Sequence, residues 1–267
     1  MLTQWLRTIK KTLTSVDVSL ENQDDSEVVL FDTDFIYIGK LMTFNHLFFW
    51  IENPNDTDAT LKVEIFDGTS WKTAVDILDA TRGLKKSGVL QFMLDDDTSW
   101  TRKDSDDIVE LDDAPKIFNL YWIRISVASG AVNPLTSLKR IGYALTTQQM
   151  IKALDPDLEQ YLPAFGQIDF TSQILTASME TAIDLKAKGI IVDDGQIVQF
   201  DDFAHACAYK TLSIIYFSLG SDFNEKRVEA NRLFSQNLRS RRLTVDQDGD
   251  GRVDLSEVKM KIRELVR

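Results

Sequence analysis

The feature that most restricts the fold is a change of period near Thr146. Before it, from about Val28 to Ala144, the chain consists of short runs rich in aromatic and β-branched residues: Phe35 to Ile38, His46 to Glu52, Leu61 to Phe66, Val89 to Met93 and Leu120 to Val127. Asn53-Pro54-Asn55-Asp56, Asp67-Gly68-Thr69-Ser70 and Lys86-Ser87-Gly88 supply the chain reversals. Apolar and polar residues alternate in Leu61 to Phe66 and Leu120 to Val127, which predicts strands with one face on a core and the other in water. Several such strands imply an antiparallel sandwich of the jelly-roll kind.

After Thr146 the spacing is helical. Asp155-Pro156 reads as an N-cap followed by proline at the first helical position. Ile168, Leu175, Met179, Ala182 and Leu185 then recur at helical spacing up to Gly189, a plausible terminator. Asp201 or Asp202 caps a helix from Phe203 to Leu219 that is apolar on nearly all sides and is therefore expected at the centre. A further helix from about Phe223 places Ala230, Leu233, Phe234 and Leu238 on one stripe. The expected class is α+β in four segments. Residues 1–25 form an N-terminal arm or, from the spacing of Trp5, Ile9 and Leu13, an amphipathic helix, and residues 26–146 form a jelly-roll-like β-sandwich. Residues 147–240 form a helical bundle, and residues 241–267 an EF-hand-type calcium loop with a C-terminal helix.

One motif is sharp. Asp246-Gln247-Asp248-Gly249-Asp250-Gly251-Arg252-Val253-Asp254-Leu255-Ser256-Glu257 fills every position of a twelve-residue EF-hand-type loop. Asp246, Asp248 and Asp250 offer hard oxygens at positions 1, 3 and 5, and Gly251 permits the turn. Arg252 offers its carbonyl at 7, Asp254 acts directly or through water at 9, and Glu257 is bidentate at 12. Carboxylates gathered around one point repel each other without a cation, so Ca²⁺ is the expected cofactor. Leu255, Val258, Ile262 and Leu265 predict an outgoing helix. Neither a good incoming helix nor a second loop is present, which favours a static clip over a switch.

Composition narrows the function classes. The 267 residues include 42 acidic against 30 basic, a formal net charge of −12, which argues against a site that tracks a nucleic-acid backbone. The charge is uneven: Ser221 to Arg267 carry 11 basic and 9 acidic residues, leaving 19 against 33 before them. The acidic stretch from Asp95 to Asp113 is read as solvated, as a second cation site, or as a contact to a basic neighbouring subunit. A single cysteine, Cys207, excludes an intramolecular disulfide and fits a reducing compartment. No run reaches the roughly 18 apolar residues of a membrane span, and Met1 to Ser15 lacks a secretory apolar segment, so a chain made without such a signal is expected. His46 lies in an aromatic strand and His205 in the most apolar helix, both expected as packed residues. No base and nucleophile converge, so a non-enzyme is expected. Trp50 and Trp122 are expected in the core, and Trp71 and Trp100, beside turns, as candidate sugar platforms.

The run Phe66-Asp67-Gly68-Thr69-Ser70-Trp71, then Asp79-Ala80-Thr81-Arg82-Gly83-Leu84, Ser87-Gly88-Val89-Leu90-Gln91-Phe92, Trp100 and Leu120-Tyr121-Trp122-Ile123-Arg124-Ile125, resembles a β-sandwich module of tailed-phage structural proteins. The helical part, through Leu158 to Leu162 and Ala204 to Leu219, resembles head-completion or adaptor proteins that attach beneath the portal. The resemblance implies a virion protein assembled in the host cytoplasm. It would form a homo-oligomeric ring on the portal with other neck or tail proteins, without membrane or sequence-specific nucleic-acid contact. It carries over no catalytic residues. The alternative is a tail or baseplate carbohydrate-binding module that uses the sandwich.

Overall fold

The computed structural model describes residues 6–11, 15–17, 28–29, 35–95, 97–166, 169–198, 200–240, 242–248, 250, 257 and 260–261. They form a mixed α+β chain in two compact units, one comprising the described residues of 1–142 with Asp250 and the other the described residues of 143–248 and 253–267. The first unit is built from β1 (Arg7–Lys11), β2 (Ser15–Asp17), β3 (Val28–Val29), β4 (Phe35–Lys40), β5 (His46–Asn53), β6 (Ala59–Phe66), β7 (Trp71–Thr73), β8 (Val75–Asp79), β9 (Gly88–Met93), β10 (Tyr121–Gly130) and β11 (Ser137–Gly142). These pair antiparallel into a sheet of order β2-β1-β4-β10-β6-β7 and another of order β3-β11-β5-β9-β8.

Period-two alternation sends every second side chain of a strand to the same face. From the first sheet Ile36, Ile38, Val63, Ile65, Ile123 and Ile125 meet Leu47, Phe49, Leu90, Phe92, Leu138 and Ile141 of the second in one buried cluster. The other face of the first sheet differs from the expectation of a wet surface. Tyr37, Phe66 and Trp122 are buried there against Ile108, Leu111 and Ile117. These come from an insertion between β9 and β10 that forms two 3₁₀ turns, Ser105–Asp107 and Val109–Leu111. Between the rings Arg124 lies over Phe35 (4.9 Å) and Trp71 (4.7 Å) and pairs with Glu64 (2.7 Å) and with Glu110 of the insertion (3.3 Å). The polar members of the alternation thus mark a second, smaller core.

The amphipathic helix considered for the N-terminus is not formed over Arg7–Lys11, which is a strand paired with β4. Residues spaced by four share a face in a strand as well as in a helix, and over Arg7–Lys11 pairing to β4 decides between them, whereas Trp5 and Leu13 lie outside the described residues. Tight backbone approach fixes the loop ends of the sheets. Gly130 has φ +82°, and a Cβ there would stand 2.0 Å from the Asp58 carbonyl oxygen. Gly130→Ala is therefore expected to lower the unfolding free energy by about 2 kcal/mol in urea titrations; an unchanged midpoint would show that this strand end yields freely.

The second unit contains α1 (Gln148–Leu154), α2 (Leu162–Phe165), α3 (Thr171–Ala187), α4 (Phe200–Leu219) and α5 (Asn224–Ser240). The Thr147 hydroxyl caps α1 by accepting the Met150 N–H, and Asp155 caps the 3₁₀ helix Pro156–Tyr161 with proline at its first position. Gly189 (φ +66°) follows α3 and Gly220 (φ +100°) follows α4. As its composition requires, α4 is central: it packs on α1, α3 and α5, and Phe203, Ala206 and Cys207 are fully buried. Helix α5 buries the stripe Ala230, Phe234 and Leu238. The Asp155 carboxylate ties three elements by accepting from the Tyr216 hydroxyl (2.6 Å) and Lys226 (3.3 Å). Burial raises the pKa of this carboxyl, but those two donors outweigh it and hold the group below its ordinary range.

The C-terminal helix is overturned where it is described. Met260–Lys261 (β13) pairs antiparallel with Arg242–Leu243 (β12), and the rest of the expected helix lies outside the described residues. Val258, Met260 and Ile262 alternate with Lys259, Lys261 and Arg263, so this segment satisfies period two as well as a helical stripe.

Candidate metal centre

The chain enters the acidic loop from a fixed platform. Val245 forms a bridge with Ile197 and is buried in the helical core. The Thr244 N–H donates to Asp202 Oδ2 at 2.8 Å, near the start of α4. Gln196 holds the next two residues: its carbonyl accepts the Asp246 N–H (2.9 Å) and its side-chain Nε2 donates to the Gln247 carbonyl (3.1 Å). Its Oε1 is fixed in turn by the N–H groups of Val192 and Asp193.

On this platform the Asp246 side chain is fully buried, while Asp248 and Asp250 are exposed. One carboxylate oxygen from each of the three lies within 4.8 Å of the others. Two oxygens bound to the same Ca²⁺ at 2.3 to 2.6 Å stand at most about 5 Å apart, so this spacing suits one hard cation shared by three donors. Glu257 is also buried, and its Oε1 accepts the Gln247 N–H at 2.6 Å, which folds the end of the loop back onto its beginning. The structure thus brings Asp246, Asp248 and Asp250 together and anchors Glu257 beside them. Arg252, Asp254 and the turn residue Gly251 lie outside the described residues. The chemistry available here is coordination of an oxygen-seeking cation by carboxylates, of which Asp246 sits on backbone tied to the helical core. Gln196 escaped the sequence reading because its link to the loop spans 51 residues and no local pattern announces it.

Other singled-out residues sit elsewhere. Trp100 is in the main core, and its indole N–H donates to the Trp122 carbonyl at 3.2 Å, so it is no platform. Trp71 is half-buried, with Arg124 over its ring and Tyr37 and Phe66 against it (5.5 and 5.0 Å), so the ring surface a sugar would need is in use. Trp122 is fully buried as expected, whereas Trp50 is half-buried with Lys139 over its ring at 4.9 Å.

Much of the acidic stretch is internal wiring. Lys116 pairs with Asp104 and Asp106, and Asp113 takes Lys11 and Ser15. Among the described residues none of its carboxylates joins a metal-type group. Burial pushes the Cys207 thiol up to about 11, so it stays protonated at neutral pH.

A comparison with models of known protein families finds no match, and a comparison with curated proteins finds none either.

Proposed function

We propose that this chain is a structural protein of a tailed-phage virion, a head-tail connector subunit that assembles as a ring on the portal and is stiffened by one Ca²⁺. One observation carries the reading: the residues on which the phage resemblance rests act in building the frame. Asp67 closes its turn by accepting the N–H groups of Thr69 (2.8 Å) and Ser70 (2.7 Å). Asp79 does the same for Thr81 (2.8 Å) and Gly83 (2.7 Å), and Leu84 and Trp122 are fully buried. Arg124 latches the insertion to the sheet. A signature devoted to framing suits a protein whose work is assembly.

The jelly-roll form of the sandwich is part of this proposal. It is supported by successive strands that cross between the sheets, with β4, β6 and β10 in one and β5, β9 and β11 in the other. The EF-hand-type loop is likewise proposed, with Asp246, Asp248, Asp250, the Arg252 carbonyl, Asp254 and Glu257 as ligands. Its support is the twelve-residue pattern and the three gathered carboxylates. Bound Ca²⁺ would supply charge neutralisation and cross-linking within the loop. The loop lies between the paired segments β12 and β13, a setting that suits a clip. No helix among the described residues is long and apolar enough to cross a membrane.

Two measurements test the reading. The mass of the purified chain mixed with portal protein is expected to show a ring complex; a chain that never joins the portal overturns the connector assignment. Calorimetry is expected to show Ca²⁺ binding that the pair Asp246→Ala and Glu257→Ala abolishes, and unchanged binding in that variant overturns the loop assignment.

A further inference from the structure

In a chain with more acidic than basic residues, a cation without a carboxylate partner is conspicuous. Arg102 is half-buried, lies 5.0 Å from the centre of the Tyr121 ring, and reaches the Met42 sulfur at 3.7 Å. Its Nε is buried without an acceptor, and it makes no ion pair among the described residues. Tyr121 pairs with Lys40 at the end of β4, so Leu41 follows that pair directly and Phe118 precedes it by three residues. Both are exposed, at 58% and 64%. An arginine stacked on an aromatic ring, at a strand end where Leu41 and Phe118 (the latter with Lys116 over its ring at 5.2 Å) are exposed, has the make-up of an interface anchor.

The opposite end of β4 carries the complement. Asp113 binds Lys11, which pairs with Phe35 at the start of that strand. There the insertion exposes Val109 (83%) and Asp112, and Asp112 makes no ion pair among the described residues. Cation with apolar flank and carboxylate with apolar neighbour therefore lie by strand ends about 17 Å apart, at 3.3 Å per residue. Two complementary patches at opposite ends of one strand can make a head-to-tail contact, the kind that closes rings.

We infer that these patches are the two halves of one contact between copies of this chain. Arg102 of one copy takes the Asp112 carboxylate of the next, with Leu41 and Phe118 packed around Val109. The inference rests on the ring assembly proposed above and names the surface that makes it. Sedimentation velocity of the full chain over a concentration series, at low and high salt, tests both. Self-association that weakens with salt is expected for the unaltered chain. Arg102→Glu alone and Asp112→Arg alone are each expected to weaken it at least about thirtyfold. Both changes in one chain, or a mixture of the two single variants, should restore it. Tryptophan-fluorescence melting confirms that each variant is folded, and the milder Arg102→Gln should fall between. Variants that associate as tightly as the unaltered chain overturn this contact and leave self-assembly standing, as does a folded double variant that stays monomeric. An unaltered chain that is monomeric at every concentration overturns self-assembly itself.

Discussion

Lowering the pH from 7 to 5 is expected to cost the first unit about 2 kcal/mol of stability, before most carboxylates protonate. The cause is His46, fully buried in β5 with its Nδ1 3.2 Å from Asn45 Oδ1. Burial, helped by the positive charge of Lys40, holds its pKa down to about 3 against an ordinary 6.5. The folded state therefore stays neutral over a range in which the unfolded chain binds a proton. The stability linked to this ring is complete above pH 6.5 and is lost as the pH falls from there, reaching on the order of 4 kcal/mol by pH 3. All five tryptophans precede residue 143, so urea titrations followed by tryptophan fluorescence report this unit. The slope between pH 6.5 and 5 should vanish in His46→Leu. An equal slope in that variant would assign the proton to another group, with His205 the only other histidine.

Asn55→Asp is expected to destabilise the same unit by about 3 to 5 kcal/mol at neutral pH. Asn55 is 3% exposed and sits where three loops meet. Its Nδ2 donates to the carbonyls of Thr57 (3.1 Å), Gly83 (3.0 Å) and Ala131 (3.2 Å). Its Oδ1 accepts from the Thr57 N–H (3.3 Å) and hydroxyl (2.9 Å) and from the Asn133 N–H (3.0 Å). The substitution replaces the donor by an oxygen facing three carbonyl oxygens, in a place with little water to screen it. Urea titrations should show the loss relative to the unaltered chain shrinking as the pH falls from about 7 to 4, where the introduced carboxyl takes up a proton in the folded state and can again donate. A loss of under about 1 kcal/mol, or one that does not change with pH, would show that the amide is no hub.

The strands foretold by composition are present because aromatic and β-branched runs bounded by turn residues leave few other options. Phe35 to Ile38, His46 to Glu52, Leu61 to Phe66, Val89 to Met93 and Leu120 to Val127 all fall within strands or begin one residue before them. The caps at Asp155 and the stops at Gly189 and Gly220 were legible for the same local reason. What stayed hidden depends on partners distant in sequence. Arg7–Lys11 becomes a strand because β4 offers it a ladder, and Trp100, beside a turn, is buried because Phe44 and Tyr121 close over it (5.2 and 5.5 Å). The acidic insertion reads as solvated because charge density is visible in a sequence, whereas Ile108 and Leu111, which carry it onto the sheet, are spaced among aspartates. For the candidate metal centre, ligand types and spacing were explicit, but the platform at Gln196 and Ile197 was not.

That insertion has a consequence for packing in an assembly. With Ile108, Leu111 and Ile117 on its outer side and the main core on its inner side, the six-stranded sheet has both broad faces spent. A plate of this kind is tiled by its rim. In the proposed assembly neighbours would meet it at strand ends, where joints would be small and edged with charge, so the repeat distance would follow strand length and single subunits could be exchanged without exposing the core.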